Sequence, residues 1–145
     1  MGDFERLIQR MSRLPGIPSA RLFRKWLDAA LSKPAELSLR IVNAAEARNL
    51  NSAFRSKEYA TNVLTFVYHE PKSKILMGDI VLCAQVVARE AKEQGKRLAD
   101  HYAHLTVHGV LHLSGFDHEN DKDAKVMEAR EIKILRGLGI ANPYQ

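Results

Sequence analysis

The sequence contains one cysteine, few aromatic side chains and no apolar run that approaches the length of a membrane span. Cys83 has no partner within the chain, which excludes an intrachain disulfide and is typical of a reducing compartment. A transmembrane helix would need about 20 consecutive apolar residues. The first residues carry Asp3 and Glu5 but no apolar core, so we do not expect a secretory signal. The sequence therefore predicts a soluble, cytoplasmic protein.

Length and composition favour one globular domain. The chain has 145 residues, of which 46% are hydrophobic and 27% charged, and we treat residues 1–145 as a single domain. The formal net charge is +5, and residues 1–25 alone carry +4, because this segment has six basic and two acidic residues. A positive field attracts polyanions such as nucleic acid. A merely solvated basic surface has the same composition, so charge alone leaves both interpretations open.

Apolar patterning predicts helices packed with a small sheet, an α+β or mixed arrangement. After a possible helix cap at Ser19, apolar residues recur at helical spacing, and after Pro34 apolar and polar residues alternate as in a strand. Residues 4–9 fit either a helical stripe or a strand. The predicted helices cover residues 19–30, 44–54, 85–94, 100–114 and 121–136, and the predicted strands cover residues 36–43, 62–68 and 79–83.

Five of the six histidines lie between residues 101 and 118. His108 and His112 are four residues apart on a predicted helix, so their Cβ atoms should lie about 5–6 Å apart on one face. Two imidazoles at this separation can bind one ion at Zn–N distances of about 2.0–2.1 Å. Gly115 allows the chain to leave the helix, after which His118 can return as a third ligand. Three imidazoles leave one tetrahedral position open, which is typical of a catalytic zinc site.

The spacing His-x-x-x-His-x-x-Gly-x-x-His is that of the metzincin zinc proteases. Those enzymes have a glutamate general base directly after the first histidine, where this chain has Gly109. Peptide hydrolysis is therefore disfavoured, while metal-assisted chemistry on another substrate stays open. His104 and His108 form a competing pair at the same spacing. We expect His101 and His104 to support the ligands or to lie on the surface.

Three blocks of sequence carry a family resemblance. The first is HGVLHLSGFDH at residues 108–118, the second is LNSAFRSK at residues 50–57 running into TNVLTF at residues 61–66, and the third is GDI at residues 78–80. Together they resemble the YbeY family of bacterial metal-dependent endoribonucleases, also called rRNA maturation factors. The resemblance extends from about Trp26 to Pro143.

The resemblance implies a role for four residues. His108, His112 and His118 correspond to the zinc ligands, with one Zn²⁺ per chain, and Arg55 corresponds to the essential arginine near the metal. We take Arg55 and His108 as the catalytic residues. The implied fold is a small mixed sheet of about four strands packed with helices, with the metal in a cleft at a helix and the following loop. An N-terminal strand is also implied, which favours a strand at residues 4–9.

The resemblance also implies an activity and partners. The activity is hydrolytic cleavage of single-stranded RNA, with roles in maturation of the small-subunit rRNA 3′ end and in ribosome quality control. The implied partners are an rRNA precursor, the small ribosomal subunit and its assembly proteins, with neither DNA nor a membrane. A divalent ion and a planar guanidinium both suit the negative charge that develops on a phosphodiester. Without the resemblance, a surface ion pair would be the simpler role for Arg55.

The chain departs from the family pattern at three places, and several alternatives stay open. Phe116 stands where the family usually has tyrosine, residues 58–60 replace an Asp-x-Pro, and Val67 stands where proline is usual. A metal-dependent hydrolase of another class, such as a divergent metzincin-like protease, is one alternative. A non-enzymatic ribosome-assembly factor with structural zinc is another. Water and the substrate 2′-hydroxyl are both candidate nucleophiles, and three imidazoles also accept nickel, copper or iron.

Overall fold

The structure, a computed structural model, describes residues 4–55, 61–116 and 120–145, with the backbone alone at residues 4–5 and 54–55. This part of the chain forms five helices and four strands, so the predicted α+β class is confirmed. In chain order the elements are β1 (Phe4–Arg10), α1 (Ala20–Ala30), β2 (Ala35–Val42), α2 (Ala44–Arg55), β3 (Val63–Val67), β4 (Leu76–Cys83), α3 (Ala84–Glu93), α4 (Leu98–Leu113) and α5 (Asp121–Gly137).

The four strands form one mixed sheet in the order β1-β2-β4-β3. β1, β2 and β4 run parallel, and β3 pairs antiparallel with β4 at the sheet edge. Residues 4–9, whose pattern fitted either a helix or a strand, belong to strand β1. Ser19 caps α1 as predicted, and Leu22 N donates a hydrogen bond to its Oγ at 3.2 Å. β4 begins earlier than expected because Leu76 and Gly78 pair with β2, and pairing with neighbours overrides the weak strand propensity of glycine.

One face of the sheet packs against α1 and α4, and this layer holds the main core. Phe23, Trp26 and Leu27 of α1 are buried there, and Phe23 contacts the ring of Tyr102 from α4 edge to face at 5.7 Å between centroids. The opposite face is covered in part by α2 and α3 through a smaller apolar cluster. None of the described helices combines the length and apolar character needed to cross a membrane.

Two glycines let α4 lie close to the sheet. A Cβ on Gly78 in β4 would lie 2.6 Å from the carbonyl oxygen of Phe66 and 2.9 Å from Leu113 Cδ2. A Cβ on Gly109 in α4 would lie 3.1 Å from Ile80 Cγ2. The close contact therefore holds the carboxyl end of α4, which carries His108 and His112, against β3 and β4.

Replacing Gly78 with alanine tests this contact. The new methyl group would overlap a backbone carbonyl that cannot rotate away, so we expect Gly78→Ala to lower the free energy of unfolding by about 1–3 kcal/mol. Urea denaturation followed by circular dichroism measures the change.

Gly137→Ala is the matched control. Gly137 is the last residue of α5, and a Cβ there would meet nothing within 4 Å. Alanine favours helix over glycine by about 1 kcal/mol or less, so this variant should be neutral or slightly more stable than the parent. Equal stability of the two variants would contradict the close packing at Gly78.

Candidate functional site

The two helical histidines of the motif line one cleft. His108 and His112 lie one turn apart on α4, on the side that faces β3. The cleft has a volume of about 310 Å³, and its other wall is formed by residues 61–65, the start of β3 and the two residues before it. The structure therefore brings together two of the three predicted ligands at a concave surface, as the helical spacing predicted.

Strand β3 orients the imidazole of His112. Thr65 pairs with Ile80 across β3 and β4, and its side chain is almost fully buried beneath α4. Thr65 Oγ1 lies 2.7 Å from His112 Nδ1. A threonine hydroxyl accepts a hydrogen bond from Nδ1–H when Nε2 is the ligand atom. The contact ties the ring of His112 to the edge strand of the sheet.

Helix α5 orients the imidazole of His108. Glu131 Oε2 accepts a hydrogen bond from His108 Nδ1 at 2.9 Å, and the Glu131 side chain is completely buried. Its other oxygen, Oε1, accepts a hydrogen bond from the hydroxyl of Tyr144 at 2.6 Å. A carboxylate on α5, itself held by Tyr144, therefore fixes Nδ1 of this imidazole.

The charge state of Glu131 follows from the same contacts. Burial alone would raise the pKa of Glu131, but hydrogen bonds from His104, His108 and Tyr144 outweigh that effect and hold its pKa at about 2. The side chain is thus a carboxylate near neutral pH and can only accept hydrogen bonds. The imidazole nitrogens that face it must carry hydrogen.

His104 does not compete with His112 as the partner of His108. Its Nε2 lies 3.2 Å from Glu131 Oε2 and 3.2 Å from the Tyr144 hydroxyl, away from the residues that line the cleft. His104 and His101 are both buried, so the surface alternative considered for them is wrong. His104 instead contacts the carboxylate that holds His108.

A second carboxylate–histidine pair, in which the histidine is buried and the glutamate half-buried, supports the lip of the cleft. Glu90 of α3 accepts a hydrogen bond from His101 Nε2 at 2.9 Å and another from Asn62 Nδ2 at 3.1 Å. The backbone oxygen of Asn62 accepts from Cys83 N at 3.0 Å. Burial lowers the pKa of His101, so its neutral form is favoured. These contacts anchor the segment before β3 to α3 and to the end of β4.

The cleft offers two imidazoles to a divalent metal. The described residues include no group of three His, Cys, Asp or Glu side chains that could hold an ion. They do include two imidazoles on one face whose Nδ1 atoms contact Thr65 and Glu131, which leaves Nε2 as the coordinating atom of each ring. This arrangement fits two ligands of an imidazole-bound metal site.

Two predicted site residues, His118 and Arg55, lie wholly or partly outside the described part of the chain. His118 lies outside the described residues, at 117–119. Arg55 is the last residue of α2, and its side chain is also outside the description. Gly115 has φ 103°, and Phe116 N donates to Leu111 O at 3.0 Å, so α4 ends in the left-handed turn that the motif predicted.

Gly109 occupies the position where the metzincin proteases have their catalytic glutamate. Its Cα faces Ile80 on β4 at the helix–sheet contact, and not the cleft. A glutamate there would place a charged side chain into the core. The observed packing argues further against a protease of that type.

Sequence reasoning missed the residues that orient the imidazoles. Glu131 occupies the same buried stripe of α5 as Met127 and Leu135, at intervals of one helical turn. A carboxylate within an apolar stripe was the available signal. Thr65 carried no such signal, because a threonine in a strand is ordinary.

Comparisons with known proteins place the chain in a family. Residues 13–139 match the family described as Endoribonuclease YbeY. A protein of that name from Nitrosomonas europaea is 56% identical over 137 residues, which cover 94% of this chain and 82% of the relative. Another, from Thiobacillus denitrificans, is 53% identical over 137 residues, covering 94% and 93%.

A solved structure has the same fold. The solution structure of a Thermotoga maritima protein superposes with a TM-score of 0.61 at 25% identity, covering 90% of this chain and 87% of that one. The similarities in sequence span most of the chain and include the histidine block on α4. This chain belongs to the YbeY family of endoribonucleases.

Proposed function

We propose that the chain is a zinc-dependent endoribonuclease that cleaves single-stranded RNA during maturation of the small-subunit rRNA 3′ end. Its curated relatives are named endoribonucleases, and the chain is accordingly a hydrolase that acts on RNA. The observation that carries the zinc site is the pair His108 and His112, each fixed through Nδ1 at one cleft. Roles in ribosome quality control, in the cytoplasm, belong to the same proposal.

His108, His112 and His118 are the proposed ligands of one Zn²⁺. The first two would bind through Nε2, because their Nδ1 atoms contact Glu131 and Thr65. When bound, the ion would supply Lewis-acid stabilisation of the negative charge that develops on the phosphoryl oxygens. Neutral imidazole ligands carry no charge of their own to set against that of the ion.

Arg55 is the proposed phosphate-binding residue. A guanidinium presents parallel N–H donors that match two oxygens of a phosphodiester, and it stays charged at any physiological pH. Arg55 ends α2, whose Ala47 packs on Val81 of β4 in the cluster on the second sheet face. Exposed basic residues on α1, namely Arg21, Arg24 and Lys25, add charge of the sign that attracts RNA without selecting a sequence.

The proposed partners are an rRNA precursor, the small ribosomal subunit and its assembly proteins, and residues 1–145 act as one domain. A protease is disfavoured by Gly109, which packs on Ile80. An assembly factor with structural zinc would have the same histidine site but no cleavage activity, and therefore no catalytic role for Arg55. The variants below distinguish these functions.

Loss of one ligand should abolish zinc binding. We expect His112→Ala to lower zinc stoichiometry from near one ion per chain to near zero, because two imidazoles hold the ion far more weakly than three. Inductively coupled plasma mass spectrometry of purified protein measures the metal content.

His69→Ala is the control for His112→Ala. His69 lies outside the cleft, after β3, where its Nδ1 contacts Met77 N at 3.0 Å. This variant should keep the zinc of the parent chain. Full retention of metal in His112→Ala would refute the ligand assignment.

Arg55→Ala should separate binding of the metal from catalysis. Removal of one donor that stabilises transition-state charge typically costs about 10²- to 10³-fold in rate. We expect that loss in cleavage of a single-stranded rRNA precursor, with zinc content and circular dichroism unchanged. Arg55→Lys keeps the charge but loses the two-donor geometry, so it should recover only part of the rate. Cleavage at the parental rate by Arg55→Ala would contradict the role of Arg55, and absence of cleavage by the zinc-loaded parent chain would favour the non-enzymatic assembly factor.

RNA binding should weaken steeply with salt. Each phosphate contact releases counterions, so the slope of log affinity against log salt concentration is about −0.7 per contact for a single strand. Fluorescence anisotropy of a labelled oligonucleotide, with chelator added to prevent cleavage, measures the slope. Reversal of Arg24 and Lys25 to glutamate should flatten it. A slope near zero for the parent chain would contradict a binding mode based on phosphate contacts.

A further inference from the structure

We propose that Glu131 is a positioning residue for His108: its buried carboxylate holds the proton on Nδ1 and turns Nε2 into the cleft. The inference rests on the proposed role of His108 as a metal ligand, and it adds a residue that the histidine motif does not contain. Tyr144, near the C-terminus, completes the hydrogen bonds of the same carboxylate.

The Glu131 carboxylate is buried and surrounded by hydrogen-bond donors. Its side chain is 0% exposed, between Met127 and Leu135 on the buried stripe of α5. Its partners among the described residues are two imidazoles and a phenol, with no lysine or arginine. Hydrogen bonds offset the cost of burying a carboxylate, and each bond also constrains the group that donates it. The buried position of Glu131 therefore constrains the imidazole of His108.

The hydrogen atoms of the cluster can be assigned from its geometry. The carboxylate accepts at Oε2 from His108 Nδ1 at 2.9 Å and at Oε1 from Tyr144 at 2.6 Å, and His104 Nε2 lies 3.2 Å from both Oε2 and the Tyr144 hydroxyl. All three partners can donate while electrically neutral. For His108, a proton on Nδ1 leaves the lone pair on Nε2, which is the form that binds a metal.

Its neighbours hold the carboxylate in place. The Tyr144 ring lies edge to face on the ring of His104, with centroids 5.3 Å apart, and His104 in turn contacts His108 at 6.4 Å. Glu131 lies on α5 and Tyr144 beyond it, so two segments approach α4 from the same side. Rotation of the Glu131 side chain would break its hydrogen bonds with His108 and Tyr144 and its contact with His104. The orientation of His108 is therefore set before a metal arrives.

Glu131→Leu tests the inference, because leucine has a similar size and no acceptor. Long-range ¹H–¹⁵N spectra of the metal-free protein report which imidazole nitrogen carries the proton. We expect His108 to be in the Nδ1–H form in the parent chain, and to shift toward the Nε2–H form in the variant. Competition with a chelator should show zinc affinity about 10- to 100-fold weaker, the usual effect of losing such a partner.

Glu90→Leu is the matched control. Glu90 is the other carboxylate that accepts from a buried histidine of α4, His101, and it lies on α3. This variant should change the spectrum of His101 and leave the His108 tautomer as it is in the parent chain. A general loss of α4 packing would instead move both histidines in both variants.

The outcomes separate the two proposals. A His108 tautomer and a zinc affinity unchanged in folded Glu131→Leu would overturn the role of Glu131. Failure of the parent chain to bind zinc would overturn the metal site, while the metal-free spectra would still decide what Glu131 does. If Glu131→Leu fails to fold, Glu131→Gln keeps one acceptor, and the same two measurements should move in the same direction by a smaller amount. No movement in that folded variant would also overturn the inference.

Discussion

The candidate site depends on two hydrogen bonds that reach α4 from other parts of the chain. Thr65 on β3 contacts Nδ1 of His112, and Glu131 on α5 contacts Nδ1 of His108. A helical histidine without such a partner turns about its side-chain bonds, and either nitrogen can carry the proton. Spacing along a helix therefore brings two imidazoles near each other, but tertiary contacts decide which atoms face the cleft. The chemistry of the site depends on the packing of α4 between the sheet and α5.

The packing of α4 on the sheet requires glycine at two positions. Gly78 leaves room for the Phe66 carbonyl and Leu113, and Gly109 leaves room for Ile80. With larger residues, α4 would move away from the sheet and His112 away from Thr65. The same close contact explains why the chain has no glutamate after the first histidine of its motif. The residue that distinguishes the chain from the metzincin proteases is a packing residue of this fold.

Features encoded by nearby residues could be predicted from the sequence. The Ser19 cap, the left-handed turn at Gly115 and the one-turn spacing of His108 and His112 depend on residues a few positions apart. The carboxylates that contact the histidines of α4 could not be predicted in this way. Glu131 lies 23 positions from His108 in sequence, and a glutamate on a helix usually faces water.

The strands show the same division between local and distant causes. Alternation predicted β2 well, but the early start of β4 depends on its pairing with β2. The apolar residues of β1 fitted both periods, so periodicity could not distinguish a strand from a helix there. The pairing that makes this segment a strand is with β2, which lies beyond α1 in sequence. The positions of His118 and of the Arg55 side chain stay predictions from the family resemblance.

A crystal structure of the zinc-loaded protein, with anomalous data collected on both sides of the zinc absorption edge, tests the central claim most directly. The account predicts one zinc ion bound to Nε2 of His108 and His112 at about 2.0–2.1 Å, with His118 as the third ligand and both Nδ1 atoms still hydrogen-bonded. Zinc bound through either Nδ1, or at a place in the fold away from these histidines, would contradict it.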